Sequence, residues 1–127
     1  MIRLLLVLLT VTFAAAGDAA SLSPTARAEI DGLLSRLEAS SCTFNRNGTW
    51  YPATEAKSHL LRKLKYLEDR GMVQSAEQFI ERAASSSSTT GQPYLVQCGN
   101  SSPVQSGTWL RSQLQVMRAS GRARSAP

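Results

Sequence analysis

The sequence predicts an α+β domain in which a small antiparallel sheet, a hairpin plus one later strand, is covered by about four helices and closed by one disulfide. Three observations lead there. Apolar residues recur at helical spacing in separate stretches of a 127-residue chain. The spacing changes to two on either side of Asn47-Gly48, the pair that suits a type I′ hairpin turn. The chain holds two cysteines, Cys42 and Cys98, behind a segment that reads as an export signal.

That segment is residues 1–16. Arg3 supplies the positive start, Leu4 to Phe13 the apolar run, and Ala14 and Ala16 the small residues of an A-x-A cleavage site. Cleavage is expected after Ala16, with a later cut after Ala20 as the alternative. The run falls short of the roughly 20 apolar residues a bilayer span requires. The expected product is an exported, periplasmic chain with no membrane segment after cleavage. In an oxidising compartment two thiols without a third partner pair, and closing so long a loop stabilises the fold by about 4 kcal/mol in the chain-entropy picture.

The mature chain reads as a single domain over 17–118, with no internal repeat. Ser23-Pro24 opens the first helix as cap and first-turn proline, and Ile30, Leu33, Leu34 and Leu37 form its inward stripe. Cys42 to Arg46 and Thr49 to Tyr51 are the hairpin strands. With a two-residue loop, Phe44 faces Tyr51 and Arg46 faces Thr49, so that Cys42, Phe44 and Tyr51 share the core face. Thr54 is placed to cap a second helix carrying Ala56, Leu60, Leu64 and Leu67, with Leu61 alongside, and Gly71 stops it. Ser75 to Gln78 reads as a capping box that starts a third helix with Phe79, Ile80, Ala83 and Ala84. The run Ser85 to Gly91 is a polar loop, read as a connector, with an adaptable loop that hydrogen-bonds a partner as the alternative. Tyr94 to Cys98 is a strand, and Gly99 to Gly107 a connection. Ser106 is placed to cap a last helix whose inward residues are Trp109, Leu110, Gln113, Leu114 and Met117. Residues 119–127, small and basic, are expected to be a disordered tail.

Lysine and arginine outnumber aspartate and glutamate by 14 to 9. The excess is modest, and the basic tail lacks interleaved aromatics, so no nucleic-acid partner is expected. One histidine and two paired cysteines leave no ligand set for a metal, and no motif calls for a cofactor. Asn47 and Asn100 sit in glycosylation sequons, the first of which the hairpin already explains.

His59 is the single histidine and the natural acid–base candidate near neutral pH. Glu55 and Lys63 lie one helical turn to either side, an arrangement that could orient a general base and hold an anion, or could be an ordinary solvated face. Cys42 beside His59 could be a nucleophile only if it were free of Cys98. A His59 that joins an anion site would add positive charge below its titration midpoint, strengthening binding as pH falls toward 6.

The blocks Phe44 to Gly48, Glu55 to Lys63, Ala76 to Ile80, Ser87 to Tyr94 and Trp109-Leu110 resemble the YfeK-like family of small exported proteobacterial proteins, a domain of unknown function. The resemblance extends from the first helix to about Arg118. It implies a bacterial, periplasmic protein and carries no established activity. It also marks Arg46, Asn47, His59, Lys63, Ser87 and Tyr94 as family positions and hence as candidate binding residues; no catalytic residue is assigned. The expectation is a non-enzymatic module that binds an envelope protein or glycan, with a small envelope hydrolase, or an inhibitor of one, as the alternative. Oligomeric state is not read from the sequence.

Overall fold

The first helix forms where its cap and stripe place it. A computed structural model describes residues 11–12 and 22–125, and here α1 spans Pro24–Ala39. The Ser23 Oγ accepts the Ala26 N–H at 3.1 Å, and Ile30, Leu33, Leu34 and Leu37 are buried. The expected signal peptide lies outside the described residues apart from Val11 and Thr12. Among the described residues no helix is long and apolar enough to cross a membrane.

The hairpin follows as β1 (Thr43–Arg46) and β2 (Thr49–Pro52), in the expected register: Phe44 opposite Tyr51, Arg46 opposite Thr49. Asn47 and Gly48 take φ of 52° and 85°, the left-handed pair a type I′ turn requires, and the Asn45 side chain accepts the Gly48 N–H at 3.1 Å. Without a break the chain enters α2 (Ala53–Glu68). Thr54 does not cap it: Pro52 is the capping residue and makes no side-chain cap bond, while the Thr54 carbonyl accepts the Ser58 hydroxyl at 3.2 Å inside the helix. The strand simply turns into the helix at Pro52, two residues too early for Thr54. Leu60, Leu64 and Leu67 face the core, whereas Leu61 is exposed. Gly71, at φ 65°, closes the C-terminal end, its N–H on the Glu68 carbonyl.

Ser75 caps α3 (Ala76–Phe79) by accepting the Gln78 N–H, but the Gln78 side chain takes the Gln74 N–H rather than that of Ser75, so the box closes one residue early. From Ile80 to Ala84 the helix widens into a π turn, and the Ser85 hydroxyl donates to the Ile80 carbonyl at 2.6 Å. The serine run is not a loose connector. Ser86 bridges Pro93, the Ser87 N–H bonds to the Gln92 carbonyl, and the Tyr94 N–H bonds to the Ser85 carbonyl.

The sheet has four strands, one more than expected. β3 (Leu95–Gln97) pairs with β1, and a two-residue β4 (Val104–Gln105) pairs with β3, giving the antiparallel order β2-β1-β3-β4. A strand this short leaves no period to read within 99–107. Phe44 and Val96 face the helices and are buried. A Cys42–Cys98 disulfide joins β1 to β3 at one end of this central pair. Ser106 opens α4 (Ser106–Ser125), but its buried Oγ has no partner; its N–H bonds to the Tyr94 carbonyl, so the expected side-chain cap is absent.

The helix also outruns its expected end. Residues 119–125, expected as a disordered tail, continue α4. Extending a formed helix costs far less than starting one, Ala119, Arg122, Ala123 and Arg124 are adequate helix formers, and cations suit a helix C-terminus. Just before this extension, Arg118 binds Glu29 of α1 and Glu77 of α3.

Candidate functional site

The type I′ turn leaves Arg46 as the last strand residue and Asn47 at the corner, both beside the face of α2 that carries His59 and Lys63. The serine loop and the residue before β3 complete the ring. Arg46, Asn47, His59, Lys63, Ser87 and Tyr94 therefore line one cleft of about 350 Å³, together with Ser88 and Thr89. All six candidate residues meet there, although they come from four separate stretches of chain. A hollow of about 300 Å³, reaching Tyr51, Glu55 and Arg62, adjoins it across Arg46 and His59. His59 and Lys63 also border a third, of about 380 Å³, that reaches Tyr66.

The hydrogen bonds in the cleft have a definite sense. An arginine only donates, so Arg46 Nη1, 2.5 Å from His59 Nδ1, requires that nitrogen to accept. Neutral His59 therefore carries its proton on Nε2 and donates it to the Tyr94 hydroxyl at 3.2 Å. Lys63 Nζ donates to the same hydroxyl at 3.1 Å and to the Ser86 carbonyl at 3.0 Å. The Tyr94 ring lies edge-on to the imidazole and 5.0 Å from Phe44, which anchors it in the core. Arg46 also stands 4.9 Å over the Tyr51 ring.

At the other end Asn47 ties the turn to the loop. Its Nδ2 donates to Ser87 Oγ at 3.2 Å and its Oδ1 accepts the Thr90 hydroxyl at 2.7 Å. Ser87 Oγ also accepts the N–H groups of Thr89 and Thr90. Ser87 is thus a loop organiser, and among the described residues no base hydrogen-bonds to its hydroxyl.

Burial, then the charges of Arg46, Lys63 and Arg62, holds the His59 imidazole at a pKa of about 4, well below its ordinary 6.5. His59 accordingly adds no charge between pH 7 and 6, and the expected strengthening of anion binding over that interval does not come from this residue. Glu55 makes no hydrogen bond to it; the neighbour that matters is Arg46, from the hairpin. Burial followed by Arg46 lowers the Lys63 pKa, and burial raises that of Tyr94 against an opposing effect of Arg46.

The ion pairs lie elsewhere. Arg27 pairs with Glu68, Lys57 with Glu38, Lys65 with Asp69, and Arg118 with Glu29 and Glu77. Among the described residues none engages Arg46, Arg62 or Lys63. Cys42 is consumed by the disulfide, which removes the cysteine-nucleophile alternative. No group of three or more metal-ligating side chains occurs among the described residues. Sequence reasoning missed Arg62, Tyr51 and Thr90. Arg62 was signalled by its place one residue before Lys63, whereas Tyr51 and Thr90 enter only through the hairpin and loop geometry.

The family described as "Family of unknown function (DUF5329)" matches residues 24–118. A protein of Salmonella typhimurium named "Uncharacterized protein YfeK" is 46% identical over 68 residues, covering 53% of this chain and 55% of that protein, so the similarity spans about half of each. No solved structure matches.

Proposed function

The chain belongs to this family of unknown function, DUF5329, and we propose that its cleft is a non-enzymatic binding site for an acidic group on a cell-envelope partner. One observation carries the reading: Arg46 and Lys63 face a shared cleft and, among the described residues, no carboxylate is paired to either, while Arg27 and Arg118 are paired on the surface. Desolvating an unpaired cation is costly, and an incoming anion relieves that cost. The leader-like first 16 residues together with the disulfide support a periplasmic setting.

A hydrolytic role finds less support. Both imidazole nitrogens of His59 are occupied, one accepting from Arg46 and one donating to Tyr94, and among the described residues no serine, threonine or cysteine hydrogen-bonds to either. Crosslinking capture from periplasmic extract tests the proposal. Lys63→Ala and Arg46→Ala should each lose the captured partner while melting within a few degrees of the parent, and added salt should weaken capture by the parent. Undiminished capture by both variants would overturn it.

A further inference from the structure

Tyr94 is 2% exposed and lines the cleft, so its hydroxyl has few neighbours to choose from. A phenol oxygen accepts two hydrogen bonds and donates one. Both acceptor positions are filled, by Lys63 Nζ and by the His59 Nε2–H that Arg46 enforces. The proton remains. Neither neighbour accepts it, because an ammonium has no lone pair and His59 Nε2 already bears hydrogen. Among the described residues this oxygen makes no other hydrogen bond. Among the described residues this cleft-lining donor is thus left without a protein acceptor, beside two cations that are themselves donors only.

We infer that the Tyr94 hydroxyl is a ligand-binding donor, and that the Arg46–Lys63 end of the cleft takes a deprotonated oxyanion, a carboxylate or a phosphate. This rests on reading the cleft as a binding site. Lys63 has a third N–H beyond the two it spends on Ser86 and Tyr94, and Arg46 has further N–H groups beyond those on His59 and the Tyr51 hydroxyl. With the Tyr94 O–H they converge on an acceptor-only group and offer nothing to a ligand hydroxyl that must itself donate. His59 is a positioning residue: it turns the tyrosine proton outward.

Calorimetry on the full mature chain, with inorganic phosphate and with glucuronate as separate probes and glucose as a neutral control, tests this. The parent should bind at least one anion and not glucose, and the anion bound identifies the source. Tyr94→Phe should weaken that binding on the order of ten- to a hundredfold, the worth of one hydrogen bond to a charged group. Anion binding by Tyr94→Phe equal to the parent's, with Lys63→Ala defective, would overturn the donor role and leave the cleft's proposed function standing. Failure of the parent to bind either anion would overturn both. Nitrogen NMR of the single histidine in the parent needs no variant to fold: an Nε2–H tautomer is expected, and an Nδ1–H tautomer would make His59 the acceptor of the Tyr94 proton and overturn the inference.

Discussion

Acidifying the protein should weaken it through His59 before its carboxylates dominate. The imidazole is held at about 4 in the fold against an ordinary 6.5, so as pH falls the unfolded chain takes up this proton first. The stability that neutral His59 contributes is complete above about pH 6.5 and is lost as pH falls through about 4. At about 1.4 kcal/mol per pKa unit, the ceiling is about 3 kcal/mol. The ring is only partly buried, and screening by solvent brings this to about 1–2 kcal/mol, on the order of 5–10 °C in melting temperature for a domain of this size. His59→Gln is the reference, because its amide can accept from Arg46 and donate to Tyr94 without titrating. Melting temperatures of the two proteins should diverge between pH 6.5 and 4, the parent falling faster. The single histidine also gives one proton resonance to titrate, with an expected midpoint near 4. Arg46→Met should raise that midpoint while leaving it below 6.5, because burial is the larger cause and Lys63 and Arg62 persist. A midpoint near 6.5 in the parent, or parallel melting curves, would refute the hydrogen-bond assignment and with it the neutral histidine.

Three further outcomes follow from the packing. Thiol titration of the unfolded, unreduced protein should find no free thiol, and reduction of Cys42–Cys98, which encloses a separation of 56 residues, should cost about 4 kcal/mol in denaturant melts. Arg118→Met removes the cation joining Glu29 and Glu77; because these side chains are substantially exposed, the loss should be about 1 kcal/mol or less and should shrink in salt. Asn47→Gly keeps the left-handed turn but loses the bonds to Ser87 and Thr90, so amide exchange should accelerate in 87–91 while the hairpin amides stay protected.

Much of the scaffold could be read from local pattern because local pattern causes it. The stripe Ile30, Leu33, Leu34, Leu37 and the Asn47-Gly48 turn state their structures within a few residues, and the turn then dictates the register that sets Phe44 against Tyr51. What escaped was decided over distance or by too few residues to show a period. β4 exists because Val104 and Gln105 meet Val96 and Leu95. Thr54 has the chemistry of a cap, but the strand enters the helix two residues before it. The end of α4 is helical because the helix is already formed and anchored at Arg118, which composition alone does not convey.

The site divides along the same line. Its six members were nameable, and the cleft collects them all. Their relations were not, since helical spacing offers His59 the neighbours Glu55 and Lys63 and so describes a histidine between an acid and a base, ready to titrate. The fold substitutes Arg46 for Glu55 as the partner of Nδ1 and adds Tyr94 at Nε2, residues 13 and 35 positions away. That exchange of a carboxylate for a guanidinium reverses the sign of the electrostatics: a carboxylate would have raised the imidazole pKa and readied it as a base, whereas the guanidinium keeps it neutral and fixes its tautomer. The positive charge of the cleft then resides on Arg46 and Lys63. The histidine's part is to decide which way a tyrosine proton points. The local motif names the right residue; the hairpin, by setting Arg46 above α2, decides what that residue can do.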